Sequence, residues 1–307
     1  MKFDLSKGIP EPKVQLFAGR TTWTWCVAVS PDEKMLVVVG NSSDPTIRRF
    51  DIGSGKQIQP ALTGHSGSVE GLAFTHDGLW LASADNDERL HLWTTKDWSQ
   101  VSVVNANRAL KDVCSHPHEP LFACCGEGDT LFFLDPTTGV RRDVESLGHF
   151  GHFRCAFSPN GQVLAVGGNG GSLSLIEVSS PRAVWSIHVG THAIWSMLFL
   201  DDQTLLVGSE DGNVYRVEVG SGSASVALSA GFQIRSLALA CGGQILFVGG
   251  KVGGFDGRLR SYDLAEGRQV REDIKFNETL DSLHLFGEGR YLACSKHPVG
   301  RGDGYDS

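Results

Sequence analysis

No segment of this sequence concentrates Lys or Arg. The chain as a whole is acidic, with a formal net charge of −8 and a pI near 5.7 over 307 residues. A phosphate-backbone footprint needs the opposite sign, so nucleic acid is not expected as a partner. Long apolar runs are missing as well. None approaches the roughly 18 residues of a membrane helix, and Met1 to Leu16 has no apolar stretch of the kind a secretory signal carries. The chain is therefore expected in the cytoplasm or nucleus, neither secreted nor membrane-bound. There is no CxxC pair, and the cysteine count of seven is odd. Cys26, Cys114, Cys124, Cys125, Cys155, Cys241 and Cys294 read as reduced thiols acting as small hydrophobes inside strands. No segment keeps a helical period.

What the chain does have is a repeat. An apolar run, a turn, a second run, another turn and a third run ending near an acid recur about every 43 residues. The apolar residue before the first turn of each copy falls at Val29, Phe74, Cys114, Phe157, Phe199, Leu239 and Leu285. The clearest copy runs through Ser68 to Phe74, Leu79 to Ser83, Arg89 to Trp93 and Gln100 to Val104, here called strands a to d. One such unit cannot bury its own faces, so the copies must pack in a ring. The expectation is an all-β fold: a seven-bladed β-propeller of four-stranded antiparallel blades, one domain over residues 1–307.

A second ruler supports the register. An acid at the end of strand c is followed four residues later by glycine at Asp51/Gly55, Asp135/Gly139, Glu218/Gly222 and Asp263/Gly267. The same spacing opens the chain at Asp4/Gly8. Residues 1–17 are thus expected to supply the outer strands of the last blade, whose first two strands come from 277–307. That closure would remove an exposed sheet edge.

At Gly64-His65, Ser83, Asp87 and Trp93 the chain resembles the WD40-repeat family. The resemblance spans nearly the whole sequence but is strong in one copy only. It implies a structural hydrogen-bonded chain of His65, Ser83, Asp87 and Trp93, an imidazole held between carboxylate and hydroxyl with the indole N–H at the far end. A Ser/His/Asp set also suits a catalytic triad, but the resemblance locks this histidine inside a blade. Elsewhere the set decays: Thr94 follows Trp93, Ile176 stands in for a tryptophan, and Val207 and Val217 replace the serine and tryptophan.

Function is expected on the face formed by the d–a loops and b–c turns, around the mouth of the channel. Counting from Ser68 and Glu70, the rim positions are Trp23 and Trp25, Arg108 and Leu110, Gly151 and Phe153, Ala193 and Trp195, Gln233 and Arg235, Thr279 and Asp281. Trp23, Trp25, Arg108, Phe153, Trp195 and Arg235 have the chemistry of interface anchors and are the candidate partner-binding residues. The competing reading tucks the aromatics between blades. Longer b–c connections are expected at Asn41 to Pro45, Val248 to Tyr262 and Lys296 to Gly304. His149, His152, His188 and His192 read as surface histidines, with no carboxylate or thiol spacing to make them a zinc set. Arg301-Gly302-Asp303 reads as part of a turn.

The leading functional reading is a non-catalytic scaffold, monomeric within a hetero-complex, that offers its rim to a protein or peptide, with no cofactor and no metal. The rival is a propeller enzyme, such as a sugar-lactone hydrolase, acting at the channel mouth. It requires converging titratable groups. The rim offers only Glu70 and Asp281 as acids.

Overall fold

A computed structural model of the chain describes residues 26–40, 43–144, 151–254, 256–286 and 291–297. Strand follows strand throughout. The first blade is β1 (Cys26–Val29), β2 (Met35–Val39), β3 (Ile47–Asp51) and β4 (Gln57–Leu62), and the second is β5 (Val69–Phe74), β6 (Trp80–Asp85), β7 (Arg89–Thr94) and β8 (Gln100–Asn105). The third comprises β9 (Leu110–Ser115), β10 (Phe122–Gly126), β11 (Leu131–Leu134) and β12 (Arg141–Asp143). The fourth comprises β13 (His152–Phe157), β14 (Val163–Gly168), β15 (Ser172–Glu177) and β16 (Arg182–His188). The fifth has β17 (Ile194–Asp201), β18 (Thr204–Ser209), β19 (Asn213–Glu218) and β20 (Ala224–Ser229). In the sixth, β21 (Gln233–Ala240), β22 (Ile245–Val252) and β23 (Asp256–Asp263) carry an outer edge in two pieces, β24 (Arg268–Gln269) and β25 (Ile274–Phe276). A final sheet has two strands, β26 (Thr279–Phe286) and β27 (Tyr291–His297).

The fold is therefore an all-β propeller of four-stranded antiparallel blades, but among the described residues six such blades are formed, not the seven expected. The last sheet has two strands among the described residues; the chain after His297 and before Cys26 lies outside them. The expected closure by residues 1–17 falls there too.

Each first strand packs against the first strand of the next blade, and β26 packs against both β21 and β1. The core is accordingly a series of layers between neighbouring sheets. One layer joins blades two and three through Leu90, Leu92, Val113, Phe122 and Phe132. The next joins blades three and four through Ala123, Phe133, Leu164 and Ile176. Adjacent residues of a strand point to opposite faces, so Phe132 serves one layer and Phe133 the other. This is why β11 reads Leu-Phe-Phe-Leu without alternation: both faces of the sheet are covered. Phe132 and Phe133 are each fully buried, and burial of a side chain of this size is worth about 1.5–3 kcal/mol. Cys124 and Cys125 divide between the same two layers as free, buried thiols.

The acid–glycine ruler has a simple cause. Gly55, Gly139, Gly222 and Gly267 donate their N–H to the carbonyls of Asp51, Asp135, Glu218 and Asp263, each at 2.8 Å. Closing that five-residue turn needs φ near +70°, which glycine adopts without strain, and these four lie at 69°, 72°, 71° and 63°.

Blade six corrects the expectation of a long loop between Val248 and Tyr262. The extra residues lengthen β22 and β23 to eight residues each, paired from Ile245/Asp263 to Val252/Asp256. Of the other two long connections, residues 41 and 42 of the first and 298–304 of the second lie outside the described residues.

Candidate functional site at the channel mouth

Every described first strand except β1 carries, near its start, a residue that its partner strand skips. Glu70 is passed over between Val69/Asp85 and Gly71/Ala84. Lys111, Phe153, Trp195, Arg235 and Asp281 are passed over in the same way in the following sheets. Such a bulge takes a side chain out of the ladder and re-aims it. Repeated at the same place, it sets these six residues around one end of the channel.

The position expected from Leu110 and Arg108 is corrected by one residue. Leu110 is fully buried, and Lys111 takes the rim place. The bond from His116 N to Leu121 O corresponds to that from Thr75 N to Trp80 O, so the frame of blade three sits one residue later than Cys114 implied. Arg108 remains exposed in the loop before β9 and lies alongside Gly128. Trp23 and Trp25 lie outside the described residues, as does His149.

Three of the candidates meet. The Phe153 and Trp195 rings stack with centroids 4.9 Å apart and planes 13° from parallel. The Arg235 guanidinium lies 4.2 Å from the centre of the Trp195 ring, an arrangement that favours a cation. Arg235 also pairs with Glu210 at 3.4 Å. These side chains bridge blades four, five and six, so they are partly packed between blades and partly presented to solvent. The indole Nε1 of Trp195 is buried with no hydrogen-bond partner among the described residues.

Arg154, which sequence reasoning missed, braces the mouth from beneath. It donates to the carbonyls of Trp195 at 3.0 Å, Phe153 at 2.8 Å and Lys111 at 3.3 Å. Lys111 pairs with Glu127 at 3.3 Å. Burial raises the pKa of Glu70, opposed by Lys111 and Arg154 and reinforced by Asp281. Burial likewise pushes the carboxyl of Asp112 up to about 8 against the pull of Arg154. Asp112 accepts from the Cys155 backbone N–H at 3.0 Å, across the blade boundary. Ser196 and Ser236 do the same for Leu237 and Leu283, each at 2.9 Å. At the matching place in blade two, Gly71 leaves no room for a side chain, because a Cβ there would sit 2.7 Å from Val113 N.

The polar network of blade two is present with one member exchanged. His65 Nδ1 lies 2.6 Å from Asp85 Oδ2, His65 Nε2 lies 2.6 Å from Ser83 Oγ, and Trp93 Nε1 donates to Ser83 Oγ at 2.9 Å. The carboxylate is Asp85, not Asp87. Asp85 stands two residues from Ser83 on β6 and shares its face. Asp87 belongs to the turn beyond the strand, where it accepts from the Ser66 hydroxyl at 2.7 Å. His91, on the same face of β7 as Trp93, adjoins this set, its ring centre 3.8 Å from that of His65 with the planes tilted by 33°. Alternation from Ser83 was the signal that would have named Asp85; nothing in the spacing singled out His91.

Comparison with known proteins agrees with this architecture. The family model for the WD domain, G-beta repeat, matches residues 12–51, 55–94, 144–177 and 179–215. The second and fourth of these units each take the outer strand of one blade and three strands of the next, from β4 to β7 and from β16 to β19. Apoptotic protease-activating factor 1 of Danio rerio is 24% identical over 269 residues, covering 86% of this chain and 21% of that protein. Target of rapamycin complex subunit wat1 of Schizosaccharomyces pombe is 30% identical over 103 residues, covering 33% of this chain and 32% of that protein. The chain thus spans about a fifth to a third of the length of these relatives. The crystal structure of the Cps50 (Swd1) β-propeller domain of Myceliophteria thermophila superposes with a TM-score of 0.73 at 16% identity, over 90% of this chain and 98% of that one. Repeats, ring and blade-two network converge on one conclusion: the chain is a WD40-repeat β-propeller.

Proposed function

We propose that this chain is a non-catalytic interaction scaffold that offers the channel mouth to a protein or peptide partner. The observation that carries the reading is the Phe153–Trp195–Arg235 assembly, three side chains from three blades gathered at one end of the channel. Aromatics bring large contact area with few rotors, and a guanidinium brings directional donors. Relatives whose names place them in assemblies, such as the wat1 subunit and the small ribosomal subunit protein RACK1 of Neurospora crassa, support the scaffold class.

The test is affinity capture with mass spectrometry, comparing wild type with Trp195→Ala and with Arg235→Ala. Removing an interface anchor costs about 2 kcal/mol or more, roughly thirtyfold in affinity. The expected result is loss of the captured partner from folded variants. Capture of an unchanged set of proteins by folded Trp195→Ala would move the binding face elsewhere.

A further inference from the structure

The network of blade two contains an atom that the family pattern does not use. His91 is buried, and its Nε2 has no hydrogen-bond partner among the described residues. Its Nδ1 lies 2.9 Å from Gln100 Oε1, an acceptor, so Nδ1 carries the proton and Nε2 the lone pair. That lone pair faces Asp85 Oδ2 at 4.0 Å. A bare nitrogen lone pair opposite a carboxylate, both out of water, is an arrangement that a cation would satisfy.

Three donors converge there. His65, Asp85 and His91 each offer a ligand atom, all within 4.8 Å of one another, and all three residues are buried. The other polar atom of each is already held: His65 Nε2 by Ser83 Oγ, His91 Nδ1 by Gln100 and Asp85 Oδ1 by the Arg89 N–H at 2.8 Å. Fixing the far atom of each ligand is how second-shell groups orient a metal site.

We propose that His65, Asp85 and His91 form a binding site for a divalent cation of zinc's chemistry, because the His91 lone pair and the Asp85 carboxylate face each other with His65 alongside. Two imidazoles and one carboxylate suit zinc, and they leave one tetrahedral position for water. The 2.6 Å bond between His65 Nδ1 and Asp85 Oδ2 opens to admit the ion. The proton on Nδ1 moves to Nε2, and the Ser83 hydroxyl, the donor to Nε2 in the metal-free network, turns its hydrogen away and accepts from both His65 and Trp93. No net proton is released in that exchange. The inference stands on blade two alone and is independent of the channel mouth.

The test uses the full chain, stripped with a chelator, dialysed and titrated with zinc chloride. Bound metal is counted by mass spectrometry and stability is followed by thermal melting. Wild type is expected to take up one zinc per chain with a saturable rise in Tm. His91→Gln should melt cooperatively yet bind zinc more than about tenfold more weakly. His192→Gln, an exposed histidine elsewhere, should behave as wild type. No saturable uptake by wild type, or unchanged uptake by folded His91→Gln, overturns the proposal.

Discussion

The backbone N–H of Trp98 donates to the carbonyl of Thr94 at 3.0 Å, with Trp98 itself at φ 62°. It closes the same five-residue turn that four other blades end with glycine. A bulky residue in the left-handed region is strained. The compensation is packing: the Trp98 ring meets Phe74 edge-on at 6.3 Å, and the Arg49 guanidinium lies over it at 4.4 Å.

This reverses the usual order of small replacements. Trp98→Ala loses the packing and keeps the strain, whereas Trp98→Gly loses the packing and relieves it. Both are expected to destabilise, with Gly more stable than Ala by about 1 kcal/mol. Urea denaturation of the two variants decides it, and alanine equal to or better than glycine would contradict the account.

Asp85 and Asp87 are separated just as sharply. Asp85→Ala leaves His65 Nδ1 buried without its acceptor and should cost about 1–3 kcal/mol. Asp87→Ala should stay within about 0.5 kcal/mol. In a double-mutant cycle, His65 should couple to Asp85 and be additive with Asp87. The cycle is run with chelator present. Coupling to Asp87 instead would reinstate the residue that the sequence pattern pointed to.

The depressed pKa of His91 fixes the direction of a pH effect. Its value falls from 6.5 to about 4 on folding, with burial the largest cause and His65 the next. The unfolded chain therefore binds more protons than the folded one between those values. The stability from His91 is present in full above about pH 6.5 and is lost progressively as pH falls toward 4. His116 is shifted in the same direction by burial, so wild type is compared with His91→Gln in metal-free buffer. The variant should lose less stability between pH 6.5 and 4.5; parallel curves would rule out a neutral, buried His91.

Among the described residues β27 pairs only with β26. Residues 1–17, expected from the sequence to complete this sheet, lie outside the described residues. Deleting them should lower Tm and promote aggregation through the edge left open. A deletion variant that melts as wild type and stays monomeric would rule this out.

The fold was legible because both faces of each blade are covered, which imposes continuous apolar strands and leaves turns as the only punctuation. Phe132 beside Phe133 and the four turn glycines announce it directly. What failed was counting by one. The turn from His116 to Leu121 shifted blade three, so Leu110 and Arg108 stood where Ala109 and Lys111 belong. At the mouth, Trp195 and Arg235 were visible from spacing in one frame. Arg154 was not, because its role rests on carbonyls of two other strands, which no sequence period encodes. In blade two the turn aspartate was more conspicuous than the strand aspartate, although only Asp85 shares a face with Ser83.

The side-chain-to-backbone bonds from Asp112 to Cys155, from Ser196 to Leu237 and from Ser236 to Leu283 all run the same way around the ring. At each of these three boundaries the earlier blade hands an acceptor to its successor, so these three amides belong to one blade by chain and to the previous one by hydrogen bond. Local fraying of an outer strand leaves them untouched. Only separation of two blades exposes them. In hydrogen exchange, Cys155, Leu237 and Leu283 are therefore internal reporters of ring opening, and their shared rate measures how far the propeller behaves as a single cooperative unit.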